Sequence, residues 1–269
     1  MSAKIKTDIR RLITPRKHMA QLHELFTILL ELFKKYNIFT MAMSGTLLGI
    51  VRNHDYILWD DDIDMAVNFS DYERLMNLNI ILNPTGIEIH NQGHPWEHGK
   101  KWKVLKFRYL KTPHIFIDLF PFEYKGHTYR MPPKGFVPKS WYHRNVFKVS
   151  ELYPLQLMKL KDLWVPCPND PEGFINRSYG KESLDTCIVT HQHLPQHKKG
   201  ILKQLETSME MFFGLGTYGK KFPCTLVPSN TLPLPPSNSL NWFHWLFFSG
   251  IGIFFAGLLI IFMKKKRGV

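Results

Sequence analysis

Cysteine is the scarcest chemistry in this chain. Cys167, Cys187 and Cys224 are the only three, and no two stand at a C-x-x-C spacing. That argues against a cysteine-rich zinc module. A single disulfide can form and would leave an odd thiol, which does not fix the redox compartment. The chain also lacks an RNP-like motif, a helix-turn-helix spacing and an arginine-rich tract. Nucleic acid is therefore not expected as a partner, although the formal charge is +13. Such a charge fits other acidic partners: nucleotides, phosphoglycans or anionic headgroups. No internal repeat is visible. No apolar block of signal-peptide type follows residues 1–17, which Lys4, Lys6, Arg10, Arg11, Arg16 and Lys17 keep polar.

Long apolar runs are absent too, with one exception. Trp242 to Met263 contains no Asp, Glu, Lys or Arg. Its about 22 residues are enough to cross the roughly 30 Å hydrocarbon core of a lipid bilayer. Trp242 and Trp245 mark one end like an interfacial aromatic belt, and Lys264, Lys265, Lys266 and Arg267 follow the other. The segment reads as one C-terminal transmembrane helix, so a single-pass protein of the endoplasmic reticulum or Golgi is expected. The basic cluster favours a cytosolic C-terminus, and Lys266–Val269 looks like a dibasic retrieval signal; both put the preceding domain in the lumen. The missing signal peptide says the opposite, unless the N-terminus is shortened. The side of the membrane stays open at this level.

The remaining chain is long enough to bury a sizeable core. Met19, Leu22, Leu25, Phe26, Leu29, Leu30, Leu32 and Phe33 recur at helical spacing, predicting an amphipathic helix over 18–36 that stops at Asn37. Strands are predicted at 38–43, 62–67, 87–90, 103–109 and 115–119, the last ending at Pro121. Helices are predicted at 46–52, 72–81 (capped by Ser70 or Asp71), from Asp170 or Pro171 to 179, and at 201–213. Residues 123–150 read as irregular. The expected organisation is a basic segment 1–17, a folded domain 18–213, a Pro-rich linker 214–241, the span 242–263 and a basic tail 264–269.

Chemistry concentrates in Ser44-Gly45-Thr46-Leu47-Leu48-Gly49 and Trp59-Asp60-Asp61-Asp62-Ile63-Asp64-Met65. Four carboxylates in five positions raise one another's pKa unless a cation neutralises them. A hard divalent cation does so through oxygen ligands. Side chains alternate along a strand, so Asp62 and Asp64 share a face, and Asp61 is expected to face away. Asp118, a lone carboxylate at the end of an apolar strand, is the candidate third ligand. The Gly45–Thr46 turn opens a helix whose N–H groups favour an anion. An EF-hand is excluded: the run lacks the Gly at the sixth loop position and the Glu at the twelfth.

Gly45-Thr46-Leu47-Leu48-Gly49-Ile50-Val51-Arg52, then Trp59-Asp60-Asp61-Asp62-Ile63-Asp64, resembles the hallmark of the LicD/fukutin family. Asp118-Leu119-Phe120-Pro121, Tyr153-Pro154, Val165-Pro166 and Tyr179-Gly180 look like its later motifs, in order. Asp55 and Leu58 depart from the Gly and Pro frequent in relatives, a change of loop. The resemblance implies an α+β fold, a nucleotidyltransferase-like mixed sheet flanked by helices. It implies transfer of a phosphate-linked group, such as phosphocholine or ribitol phosphate, from a CDP-linked donor to a glycan or glycoprotein acceptor. It further implies that Asp62, Asp64 and Asp118 are catalytic and hold Mg2+ or Mn2+. Gly45, Thr46 and Arg52 would bind substrate, with a salt bridge to the acid run as the other reading of Arg52. Asp60 would support the site, and Asp118 could also take the acceptor's proton. The competing reading is a catalytically silent, membrane-tethered nucleotide- or glycan-binding relative, whose mark would be loss of one of these three Asp; all are present. His191, His193 and His197, with Cys187 four residues before the first, fit no standard zinc spacing. His94, Trp96, His98 and Trp102 read as packed loop residues rather than an acceptor platform.

Overall fold

A computed structural model describes residues 13–91, 104–132, 145–188 and 221–226. The first helix, α1 (Arg16–Lys35), buries Leu22, Leu25, Phe26, Leu29, Leu32 and Phe33 along one stripe. It ends where Asn37 takes a left-handed φ of 49°, a conformation Asn tolerates better than most residues. There follow β1 (Thr40–Ala42), α2 (Ser44–Asn53), β2 (Ile63–Asn68), α3 (Tyr72–Asn77), α4 (Asn79–Leu82), β3 (Ile87–Asn91), β4 (Leu105–Tyr109) and β5 (Phe116–Lys125). Then come β6 (Thr128–Arg130), β7 (Val146–Lys148), α5 (Val149–Leu152), β8 (Gln156–Leu160), β9 (Leu163–Cys167), α6 (Pro171–Tyr179), β10 (Thr186–Ile188) and β11 (Lys221–Pro223).

The main sheet runs β1-β2-β5-β4-β3. Only β2 and β5 are parallel; the other neighbours are antiparallel. This is a mixed α/β architecture, as expected. Because side chains alternate, register sorts the two faces. Ile63, Met65, Leu105, Phe107, Ile117 and Leu119 share one face, and each is 1% exposed or less. Helix α1 packs across β4 and β5. The opposite face carries a row of polar partners, Asp64–Asp118–Lys106–His90, across β2, β5, β4 and β3. The site is thus built on the middle of a sheet whose reverse side is core.

Several elements differ from expectation. β5 runs through Pro121 to Lys125. It can do so because β4 pairs only as far as Leu119, so Pro121 keeps a sheet neighbour, β2, on one side alone. Residues 123–150 are not irregular where described: β5, β6 and β7 form an antiparallel meander. Its aromatics hold it down, with Phe122 stacked on Tyr129 and Phe147 on Phe174 of α6. The helix at 72–81 is broken into α3 and α4, and no side chain caps α3. Asp170 does cap α6, accepting from Gly173 N at 2.9 Å.

Residues 221–226, in the Pro-rich region, belong to the fold. β11 pairs with β10, and Cys224 is disulfide-bonded to Cys187. That bond removes Cys187 from any zinc ligand set with His191. Residues 191–197, the predicted helix 201–213, the aromatic loop 93–102 and the apolar run 242–263 lie outside the described residues. Among the described residues no helix is long and apolar enough to cross a membrane.

The third cysteine, Cys167, is buried and unpaired, and burial pushes its thiol up to about 12. A thiol so protonated and enclosed is a poor nucleophile. Mass spectrometry after iodoacetamide treatment at neutral pH should therefore find no adduct on the native chain. It should find one after denaturation without reductant, and three after reduction.

Candidate metal and phosphate site

The acid run is held by the segments around it. Thr14, just before α1, donates its hydroxyl to the Asp60 carbonyl at 2.8 Å, and its N–H bonds the Leu58 carbonyl. His18 lies one turn on, with Nε2 2.8 Å from the Asp61 carbonyl. A carbonyl only accepts, so this nitrogen carries the proton. Burial lowers the His18 pKa, which keeps the ring in that neutral donating form. The Leu58–Asp61 backbone is thereby tied to the start of α1.

The Gly-Thr turn fastens Asp64. Ser44 is buried with a φ of 47°, a left-handed conformation that costs a non-glycine residue energy. It turns the chain so that Gly45 N donates to Asp64 Oδ2 at 3.2 Å, while Thr46 Oγ1 accepts from Asp64 N at 2.8 Å. A Cβ at Gly45 would lie 2.6 Å from Asp60 Oδ2, and one at Gly49 would lie 2.6 Å from the Asp55 carbonyl. The first glycine lets two carboxylates close on the helix start. The second lets the loop toward Trp59 pass against α2. Gly45 and Thr46, expected to bind substrate, thus also orient a carboxylate.

Asp64 and Asp118 are direct partners in the parallel β2–β5 ladder. Asp62 lies two residues before Asp64, on the same face. Carboxylate oxygens of Asp62, Asp64 and Asp118 come within 4.8 Å of one another, and so do those of Asp60, Asp61 and Asp62. Asp61 does not face away from the group: it is 3% exposed and its carboxylate joins Asp60 and Asp62. The irregular backbone before β2 breaks the strict alternation that would have turned it outward.

Burial first, then the Asp64 and Asp118 charges, hold the Asp62 carboxyl well above the usual carboxylate range. Burial, Asp60 and Asp118 do the same to Asp64, against a smaller opposing pull from Gly45 N–H and Lys106. Asp60 is raised by burial, by the Asp62 charge and by a hydrogen bond between the two carboxyls. Lys106 Nζ sits 2.8 Å from Asp118 Oδ1. An all-oxygen set with excess negative charge and no His or Cys fits a hard divalent cation. Mg2+ and Mn2+ both meet that description.

Arg52 stands apart from this centre. It ends α2, about 10 Å along the helix from Gly45. Its Nη1 reaches the Ser183 carbonyl at 3.5 Å; burial lowers its pKa, against a smaller opposing pull from the Asp60 charge. Among the described residues it forms no ion pair with Asp62, Asp64 or Asp118. Sequence reasoning missed two members of the site. Tyr179 ends α6; the residue as a whole is partly exposed, while its hydroxyl end is enclosed. Its hydroxyl is hydrogen-bonded to Ser44 and held well above its ordinary value by burial and by the Asp64 and Asp60 charges. Lys106, on β4, is the other. The Tyr179-Gly180 motif was a signal for the first; Lys106 carried none.

Comparison with known proteins gives the family of the chain. Residues 37–170 match the LicD/FKTN/FKRP nucleotidyltransferase domain family. The chain belongs to the LicD/fukutin family. It is 26% identical over 140 residues to a Homo sapiens protein named ribitol 5-phosphate transferase FKRP, covering 51% of this chain and 26% of that protein. An uncharacterised protein of Rickettsia typhi is 28% identical over 172 residues, 64% of this chain and 50% of the other. One of Rickettsia prowazekii is 29% identical over 181 residues, 66% and 62%. The matched part thus spans between a quarter and two thirds of these relatives' lengths. A lincomycin-bound lincosamide antibiotic adenylyltransferase, LnuA, is 12% identical with a TM-score of 0.38, covering 64% of this chain and 97% of that one.

The raised carboxyls set a pH dependence for the metal-free protein. Between the ordinary Asp range and the higher folded values, the native state holds protons that the unfolded chain has released. Stability therefore falls as pH rises through that window. Asp62→Asn removes one of the repelling charges. Thermal melts in EDTA should show a higher Tm for the variant than for wild type at pH 7.5, and a smaller difference near pH 4.

Proposed function

We propose that this chain is a metal-dependent phosphotransferase. It moves a phosphate-linked group, of the ribitol phosphate or phosphocholine type, from a CDP-linked donor to a hydroxyl of a glycan or glycoprotein. The observation that carries the reading is the register match of Asp64 with Asp118, with Asp62 alongside, behind a Gly-Thr helix start. Membership of the LicD/fukutin family and the name of the FKRP relative support the reaction class.

Asp62, Asp64 and Asp118 would hold Mg2+ or Mn2+. When bound, the ion would supply neutralisation of the negative charge on the donor phosphates and on the leaving nucleoside monophosphate. Phosphoryl transfer asks little covalent work of the protein, so positioning and charge carry the catalysis. The start of α2 and the carboxylate centre would place the diphosphate between them. Asp118 is the candidate acceptor of the attacking hydroxyl's proton, since it stands at the centre of the polar row. Asp60, sharing a hydrogen bond with Asp62, and Arg52 beside it would keep the margin of the site in balance rather than touch the donor.

Turnover of CDP-ribitol or CDP-choline by the full chain in detergent, with Mg2+ or Mn2+, tests this. Asp64→Asn should lose at least about a hundredfold in kcat, roughly 3 kcal/mol of transition-state stabilisation. Unchanged turnover in that variant would defeat the reading.

We also propose that residues 242–263 anchor the chain in the endoplasmic reticulum or Golgi membrane with the site in the lumen. The Cys187–Cys224 disulfide supports an oxidising compartment. The basic residues after the apolar run support a cytosolic tail. In intact microsomes, protease should leave the domain whole and remove only a C-terminal tag; digestion of the domain without detergent would place it in the cytosol.

A further inference from the structure

Lys106 is a buried cation for which the chemistry above has no use. It is 9% exposed. Register sets it opposite Asp118 on β4, and its Nζ lies 2.8 Å from Asp118 Oδ1 and 3.1 Å from the centre of the Phe116 ring. Enclosing an ammonium is unfavourable without such partners, a carboxylate on one side and an aromatic face on the other. Its neighbour on the same face makes the contrast. Arg108 reaches Glu88 of β3 through Nε at 2.8 Å and Nη2 at 2.7 Å, a pair away from the acid centre. Arg108 braces the sheet, whereas Lys106 is spent on a candidate metal ligand.

We propose that Lys106 is a catalytic residue that grips a non-bridging oxygen of the donor's diphosphate, leaving Asp118 as it does so. The inference rests on the phosphotransferase reading and extends it to a residue outside the family's quoted motifs. In the metal-free site, Asp118 is the best anion within reach. Once a divalent cation takes up that carboxylate's charge, the strongest anion beside Lys106 is the incoming diphosphate. A lysine suits the exchange because its ammonium is a compact charge with three rotatable donors on a flexible stem; a planar guanidinium does not turn so freely. The Phe116 ring holds the stem's end near both partners. Lys106 therefore competes with the metal for Asp118 and cooperates with it in holding phosphate, two effects of opposite sign.

That opposition is the test. Mn2+ titrated calorimetrically into the full chain in detergent should bind Lys106→Met at least about fivefold tighter than wild type, because a neighbouring positive charge is gone. CDP titrated at saturating Mn2+ should bind the same variant at least about tenfold more weakly. Lys106→Gln, which keeps a donor without the charge, should shift both in the same directions. A merely structural lysine would weaken Mn2+ and CDP together in both variants and lower Tm; that pattern overturns the inference, as does unchanged CDP affinity. Failure of wild type to bind Mn2+ would instead sink the phosphotransferase reading beneath it. Tight Mn2+ binding by wild type with no opposite shifts in the variants would sink the Lys106 assignment alone.

Discussion

The mutual repulsion of Asp62, Asp64 and Asp118 is the constraint on which the rest of the structure depends. With oxygens within 4.8 Å, two full charges repel by roughly 3 to 4 kcal/mol at an effective dielectric of about 20. A domain's whole net stability is only about 5–15 kcal/mol. Such an arrangement survives only where the backbone leaves the carboxylates no other place. The parallel pairing of β2 with β5 does this, because it sets Asp64 opposite Asp118 while Ile63, Met65, Ile117 and Leu119 anchor both strands in the core.

The surroundings read as the means of tolerating that repulsion. Gly45 N–H and the Thr46 hydroxyl fix Asp64 from one side, and Lys106 offsets part of the charge from the other. Thr14 and His18 reach from α1 to hold the carbonyls of Asp60 and Asp61. Ser44 accepts a strained backbone conformation at the point where helix and carboxylates meet, and its side chain bonds the Tyr179 hydroxyl. Strain and excess charge concentrated in one place are characteristic of a site organised for a ligand. The same features explain why the metal-free protein should be less stable than its core implies.

The periphery follows a different logic. The β8–β9 hairpin leans on the end of α2: Lys161 N bonds the His54 carbonyl, and its ammonium pairs with Asp55 at 2.9 Å. The β10–β11 pair carries the disulfide, and Phe222 beside it lies 6.1 Å from Trp59, the residue that opens the acid run. Covalent closure there ties a late stretch of chain to the wall behind Asp60. Pro223 and the prolines after it disguised that stretch as linker, because composition cannot show which short strand finds a partner.

Much of the site was legible in the order of residues. The period of a strand puts Asp62 and Asp64 on one face, and the Gly45–Thr46 turn marks a helix start that favours an anion. The helical stripe of α1 and most strands were equally plain, since each rests on a local repeat. Less was legible where local rules compete. Pro121 looked like a stop but lies in a strand with one neighbour; Asp61 looked outward-facing but precedes the regular pleat. The sequence alone determined that Asp62 and Asp64 share a strand face behind a Gly-Thr turn, because both follow from side-chain type and backbone period. Only the tertiary structure decided that Asp118 meets Asp64, that Lys106 meets Asp118, that Tyr179 meets Ser44 and that Cys187 meets Cys224. Those pairings are set by strand register and packing across the whole core, and no local pattern encodes them.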